Sequence, residues 1–288
     1  MNHLDVDLLK TFIAIADTGS LTRAASEVGR TQSAISMQVR RIEEIVQGPV
    51  LVRTSRGVEL TSRGQRLLAH ARRLVRAHDE ALTDVAGRGL TGSIRLGCPE
   101  DYCITFLPAI LRSLAAEHPR VTLEVVCAPT PPLQRLLEAR KIDLALVSLA
   151  DGDHRHETVR DEPLVWVAST DFVPPVEAPL QLALSSAETL DHQAARSALE
   201  HAGIPYRVTY ASASKDGLLA IVRAAVAIAV LTRGAVPADL RVLGAAERMP
   251  ALPAVGIAVA CAPGAEHSLL IESVRNVVMT ALRASPAY

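Results

Sequence analysis

Along the first ninety positions apolar residues recur at helical spacing, in stripes separated by very short gaps. Leu8, Phe12 and Ile15 share one face of a segment at about 5–17, with Leu9, Ile13 and Ala16 beside them. Gly19 ends that segment, and Ser20 offers an N-cap to the next. There Leu21, Ala24, Ala25 and Val28 fall at i, i+3, i+4 and i+7, a compact buried stripe. Gly29 supplies a second stop, and Thr31 a third N-cap two residues later. Ala24 and Ala25 are small enough for two helices to meet across so short a connection. The pattern predicts helix, tight turn, helix.

A third helix, at about 32–46, carries more information. At 100° per residue, Ile35, Val39, Ile42 and Val46 cluster within about 60° of arc and face a core. Gln32 starts the helix, while Ser33, Ser36, Met37 and Arg40 turn outward, and no acid appears before Glu43. An ordinary solvated face would be richer in Glu and Lys. Hydroxyls, an amide and a guanidinium on one exposed side suit base edges and phosphates in a DNA major groove.

Two β-like runs come next, Val50–Arg53 and Val58–Leu60, around the turn Thr54-Ser55-Arg56-Gly57. They read as a hairpin wing with arginines at its base and tip, Arg53 and Arg56, of the kind that contacts backbone or minor groove. A long helix is then predicted over about 62–86. Leu68, Ala71, Val75, His78, Leu82 and Val85 alternate spacings of three and four, a heptad seam. This helix either pairs with a second copy through Leu68, Ala71, Val75 and Leu82 or packs on its own domain. The break at Gly87-Arg-Gly89 sets it apart from the remainder of the chain.

From about 91 onward the period changes. Strand-like runs at 93–98, 121–127, 143–148, 164–168, 181–184, 207–210, 227–231 and 254–260 alternate with helical segments. Those segments lie at about 104–117, 131–140, 188–201, 213–224 and 265–283. Such alternation predicts a mostly parallel, doubly wound α/β arrangement. Pro163 and Pro263-Gly264 punctuate it twice, as two lobes joined by two crossovers would require. The expected division is 1–61, a linker helix 62–90, and 91–288. Within the last, one lobe comprises about 91–162 and 264–288, the other about 163–263.

Ligands in open α/β sheets sit beyond the carboxyl ends of strands. Those ends present Cys98–Tyr102, Pro129–Pro132, Ser148, Ser185-Ser186 and 211–214. Glu100 and Asp101 there either cap a helix N-terminus or line a cleft. In the second case they repel an anion and leave a cationic, neutral or absent ligand.

Charge sharpens this division. The whole chain has net charge −1, yet within 20–76 Arg outnumbers Glu by 11 to 4, whereas 91–288 has 17 basic against 21 acidic residues. A basic module joined to a mildly acidic one fits a nucleic-acid binder. Hydrophobic residues at 49% supply real cores. No apolar run reaches a membrane span, and the acidic N-terminal stretch does not read as an export signal, so the cytoplasm is expected. Cys98, Cys103, Cys127 and Cys261 lack metal-ligand or CxxC spacing and read as buried reduced thiols. The DGDHRHET stretch with His154 and His156 reads as a surface loop. No nucleophile triad, metal motif or phosphate loop is recognisable, so neither an enzyme nor a cofactor is expected.

Three blocks, FIAIADTGSLTRAASEVGRTQSAISMQVRRIEE (12–44), RTSRGVELTSRG (53–64) and GSIRLGCPEDY (92–102), strongly resemble LysR-type transcriptional regulators. LPAILRSLAAEHPRVTLEVV (107–126) and LLEARKIDLALV (136–147) extend the likeness over effectively the whole chain. The resemblance implies a winged helix-turn-helix, a linker/dimerisation helix, and a two-lobed α/β effector domain of the periplasmic-binding-protein type II kind. It implies DNA contacts at Thr31, Gln32, Ser33, Ser36, Met37, Arg40, Arg53 and Arg56, and a homodimer or homotetramer on double-stranded promoter DNA, with RNA polymerase as a further partner. It also implies a small-molecule effector held between the lobes. Thr130 and Ser148 fall at effector-contact positions, and Glu100, Asp101, Tyr102, Ser185 and Ser212 join them as candidates. Met37 stands where many members carry Arg, and Ala225 and Ala227 replace glycines typical of the family. The alternative readings are an oligomeric DNA-binding protein that senses nothing and, remotely, an enzyme on a two-lobed fold.

Overall fold

The computed structural model describes residues 3–54, 57–85, 90–175, 178–265 and 268–285. The chain forms two compact units, Met1–Gly92 and Ser93–Tyr288.

In the first unit each helix begins where a short polar side chain satisfies an otherwise orphan amide. Asp5 accepts from the Leu8 amide at 2.8 Å to start α1 (Val6–Thr18). Ser20 caps α2 (Leu21–Glu27), and Thr31 caps α3 (Gln32–Ile45) by accepting from the Ala34 amide. Gly19 ends α1 in the left-handed region at φ 62°. Ile15, Ala24, Ala25, Ile35 and Val39 form one small core, and Leu8, Leu9, Phe12, Ile42, Val50 and Ala71 another.

The hairpin β1 (Leu51–Thr54) and β2 (Gly57–Leu60) is antiparallel with Thr54 opposite Gly57. The Val58 amide donates to the Gly19 carbonyl at 3.0 Å, tying the hairpin to the end of α1. A Cβ at Gly57 would stand 2.6 Å from that same carbonyl oxygen, so this close approach requires glycine. The long helix α4 (Ser62–Val85) completes the unit and lies along α1.

The second unit runs β3 (Gly92–Cys98), α5 (Glu100–Thr105), α6 (Leu107–Glu117), β4 (Val121–Cys127), α7 (Thr130–Glu138), β5 (Leu144–Leu149), β6 (Arg160–Ser169), β7 (Leu180–Leu184) and α8 (Leu190–His201). It continues with β8 (Tyr206–Ala211), α9 (Lys215–Arg223), β9 (Ala229–Thr232), β10 (Leu240–Leu243), β11 (Ala254–Cys261) and α10 (Leu269–Ala284). The sheet order is β10-β6-β11-β5-β3-β4, with β9 also on β6, and β7 pairs with β8.

Two strands are shared between the lobes. The start of β6 pairs with β11, and its remainder pairs with β9 and β10. β11 pairs first with β6 and then, from Gly256 onward, with β5. The chain therefore returns to the first lobe within β11, ahead of Pro263-Gly264.

The expectation of a mostly parallel sheet needs correction. β3–β5 and β7–β8 are parallel, but every pairing that β6 and β11 make with a neighbouring strand is antiparallel. A crossover strand enters the second lobe against the direction of its neighbours, which local alternation cannot reveal. The helix expected over 104–117 is two helices, because Pro108 lacks the amide that would continue α5 through Phe106. The short strand β10 had no counterpart in the sequence pattern.

Arg160, at the start of β6, clamps the first lobe. Its guanidinium donates to the carbonyls of Leu282 and Ser285 at the end of α10, lies 5.1 Å from the Phe106 ring centroid and faces the buried Glu162 at 3.5 Å. In the second lobe Trp166 is buried and donates from Nε1 to the Pro250 carbonyl at 2.8 Å. No helix among the described residues is long and apolar enough to cross a membrane.

Candidate nucleic-acid interface and ligand cavity

Helix α3 is amphipathic in the sense needed to present side chains outward from a fixed base. Ile35 and Ile42 are fully buried and Val39 nearly so. Buried Thr11 on α1 donates its hydroxyl to Gln38 Oε1 at 2.9 Å, which fixes the helix's roll about its axis. On the other side Thr31, Gln32, Ser33, Met37 and Arg40 are exposed, Met37 to 70%, and Ser36 is half-buried. The Thr31 hydroxyl is committed to capping and to Ser33 Oγ at 3.0 Å, whereas Gln32, Ser36 and Arg40 make no side-chain hydrogen bond among the described residues. Arg40 makes no ion pair among the described residues. In the hairpin, Arg53 sits in β1 opposite Val58, and Arg56 lies outside the described residues.

Helix α4 divides the expected seam. Ala71 is buried, and Leu68 and Val75 pack with it on the α1 side of the same unit. Further along the same seam Leu82 and Val85 are exposed to 60% and 88%, and Leu74 beside it to 49%. Leu68, Ala71 and Val75 are thus unavailable as a free pairing edge, because the three-four spacing also matches packing on α1.

In the second unit a cavity of about 240 Å³ opens between the lobes. All seven candidates from the strand ends line it: Glu100, Asp101, Tyr102, Thr130, Ser148, Ser185 and Ser212. Their local bonds show how the wall is built. The Tyr102 hydroxyl meets Ser148 Oγ at 2.7 Å, and the Ser148 amide donates to Thr130 Oγ1 at 2.9 Å. The Ser185 hydroxyl donates to Asp191 Oδ2 at 2.6 Å, and Ser212 Oγ turns back onto Ser214.

Several lining residues carried no sequence signal, chiefly Lys215, Thr232, Asp191, Asp153 and Arg155. Asp153 and Arg155 belong to the loop of His154, and a two-pronged ion pair joins them. The Arg155 hydrogen bonds hold the Asp153 carboxyl down at about 2.

Both acids of α5 cross the cleft. Glu100 Oε2 accepts the backbone amide of Lys215, at the N-terminus of α9, at 2.5 Å. Asp101 Oδ2 accepts the Thr232 hydroxyl at 3.0 Å. Burial pushes the Asp101 carboxyl up, against the opposing pull of Lys215 and the Thr232 bond. Burial likewise pulls Lys215 down, although Asp101 and Glu100 counter it, and its Nζ donates to the Ala235 carbonyl at 3.1 Å. Beside Tyr102, the lining carries five carboxyl side chains (Glu100, Asp101, Asp153, Glu188, Asp191) against two basic ones (Arg155, Lys215).

Among the cysteines only Cys98 is buried, while Cys103 and Cys261 are partly exposed and Cys127 is exposed. The expectation of four buried thiols is corrected accordingly. Among the described residues no His/Cys/Asp/Glu group has the geometry to hold a metal ion.

A capped helix-turn-helix with a docked wing, joined in one chain to a two-lobed unit with an interlobe cavity, defines a DNA-binding regulator with a ligand-binding type of C-terminal domain. Residues 6–65 match the bacterial regulatory helix-turn-helix protein model of the lysR family, and 87–283 match the LysR substrate binding domain. The chain is 52% identical over 254 residues to the HTH-type transcriptional regulator DgdR of Burkholderia cepacia, covering 88% of this chain and 86% of that one. It shares its fold with ArgP from Mycobacterium tuberculosis at a TM-score of 0.74 and 18% identity, over 98% of both chains. It also shares the fold of CbnR complexed with its target DNA, at a TM-score of 0.62 and 19% identity, over 96% of this chain and 100% of that one. The chain belongs to the LysR family of DNA-binding transcription regulators, with a C-terminal effector-binding domain.

Proposed function

We propose that α3 enters the major groove of promoter DNA with Gln32 and Arg40 leading, Ser33, Ser36 and Met37 alongside, and the wing arginines Arg53 and Arg56 on the flanking backbone. The observation that carries this is the division of α3 itself. Ile35, Val39 and Ile42 anchor one side, while the side facing outward bears an amide, hydroxyls and a guanidinium that makes no ion pair among the described residues.

The protein acts in the cytoplasm as a homo-oligomer, at least a dimer. A second copy covers the exposed Leu74, Leu82 and Val85 of α4 and so fixes the separation of two DNA modules. A small molecule in the interlobe cavity, touching Tyr102, Thr130, Ser148, Ser185 or Ser212, favours one lobe geometry and thereby one placement of the paired modules. The preponderance of acids along the cavity, with Glu100 already seated on the α9 N-terminus, favours a cationic or neutral effector over a simple carboxylate.

Footprinting of the full chain on DNA upstream of its own and neighbouring genes tests this reading. Two protected half-sites in phase on one face of the duplex are expected. Their spacing or occupancy should change with an effector that also raises the protein's melting temperature. Uniform protection without phased half-sites would contradict it.

A further inference from the structure

The end of β3, the short helix α5 and the end of β4 bring three thiols together that are scattered in the sequence. Cys103 Sγ lies 3.4 Å from Cys127 Sγ and 3.6 Å from the Cys98 carbonyl. Cys127 is exposed and Cys103 half-exposed, so small solutes reach the pair, while Cys98 lies buried behind it.

We infer that Cys103 and Cys127 form a site that reacts with hydroperoxides and closes into a disulfide linking α5 to the end of β4. The Cys103 sulfur attacks one peroxide oxygen. The S–O bond forms, the O–O bond breaks, and the departing oxygen leaves as water or an alcohol after taking a proton. Cys127 then attacks the resulting sulfenic sulfur, loses its own proton, and the hydroxyl departs as water. The two thiols give up two electrons and two protons, and the hydroperoxide is reduced by the same two electrons. Closure shortens the sulfur separation from 3.4 Å to about 2.05 Å.

The electrostatics of the pair suit this division of labour. The neighbouring Cys98 and Cys127 side chains bring the Cys103 thiol down to about 7. Partial desolvation of its sulfur against the strand end, together with Cys103, holds Cys127 up at about 11, so it waits as a thiol. One sulfur is thus an ionised nucleophile near neutrality and its neighbour a protonated partner that resolves the first product. The crosslink would fix α5, the helix that carries Glu100, Asp101 and Tyr102.

The test is treatment of the reduced full-length protein with hydrogen peroxide, followed by digestion without reductant. Trypsin with a Glu-specific protease cuts between Cys98 and Cys103, which makes the assignment unambiguous. A Cys103–Cys127 crosslinked peptide is expected, about 2 Da lighter than the sum of its parts and removed by dithiothreitol. Cys127→Ser should abolish it and leave Cys103 trappable by dimedone as a sulfenic acid, whereas Cys261→Ser should change nothing. Persistence of both thiols under peroxide that oxidises free cysteine would overturn the proposal. So would a crosslink from Cys103 to Cys98, to Cys261 or between chains.

Discussion

The Glu100 carboxylate accepts the backbone amide of Lys215 at 2.5 Å, so the first turn of α5 in one lobe is bonded to the first turn of α9 in the other. One residue on, Asp101 makes a parallel bridge to Thr232. Hydrogen bonds to a charged group contribute roughly 1.5–3 kcal/mol each. Glu100→Ala should lower the stability of the effector domain by about that much and leave an orphan helix amide at the cavity wall. Calorimetry on the full chain measures this. An unchanged melting temperature would mean that the lobes are not held through Glu100.

Asp101 provides a pH signature. Its folded pKa is raised by burial, so the folded state binds this proton more tightly than the unfolded chain does. Stability from this group is therefore lost as pH rises from the ordinary aspartate value through the raised one. Asp101→Asn removes that loss and keeps an acceptor for Thr232. The variant's stability relative to the parent should rise across that window in denaturant titrations at several pH values. A constant difference would show that Asp101 carries its charge unhindered.

Cys103 offers a second titration with the opposite benefit. Because Cys98 stabilises its thiolate and brings it to about 7, alkylation by iodoacetamide should rise through a midpoint near pH 7. At neutral pH it should run about 5- to 10-fold faster than alkylation of an ordinary thiol, the gain in thiolate being partly offset by lower nucleophilicity. Mass spectrometry of the labelled peptide reads both. A midpoint at the ordinary thiol value, and no rate advantage, would remove the electrostatic argument.

Ala225 holds a left-handed backbone at φ 56° immediately after α9, where a glycine carries no penalty. Ala225→Gly should stabilise the protein by about 0.5–1 kcal/mol, since relief of the side-chain clash exceeds the entropy gained by the unfolded chain. Thermal denaturation decides the sign. Destabilisation would mean that Ala225 makes packing interactions that outweigh its backbone strain.

Helix α4 separates pairing from folding. Leu82→Glu changes an exposed side chain and should split the oligomer while leaving the DNA-binding unit folded. Ala71→Glu places a charge in the core formed with Leu8, Phe12 and Ile42 and should unfold that unit. Sedimentation velocity and far-UV circular dichroism distinguish the two. An oligomer intact in Leu82→Glu would place the pairing surface elsewhere.

Local chemistry made the DNA-binding unit readable in the sequence. Asp5, Ser20 and Thr31 cap within three residues, Gly19 marks a stop, and the buried stripe of α3 repeats at helical period. The cavity was half readable. Strand ends pointed to Glu100, Thr130 and Ser148, but Lys215 and Thr232 reach their partners across 115 and 131 residues, and no local pattern encodes that. The same holds for Cys103 and Cys127, neighbours in space across 24 residues of chain. The antiparallel crossover strands escaped for a related reason, since strand direction depends on pairing and not on alternation. The α4 seam was ambiguous because one spacing serves two uses: Leu68, Ala71 and Val75 pack on α1, while Leu82 and Val85 further along the same seam stay exposed.

The most direct test of the central claim, that the outward side of α3 reads DNA, is gel-shift affinity as a function of salt. The parent protein, Arg40→Ala and Gln32→Ala would be compared on the footprinted promoter and on unrelated duplex. Arg40→Ala should weaken binding to both duplexes and reduce the slope of log affinity against log salt by about 0.9 for each phosphate that is no longer neutralised. Gln32→Ala should shrink the preference for the promoter by about 1–3 kcal/mol while sparing affinity for unrelated DNA. Parental affinity, slope and preference in both variants would contradict the account.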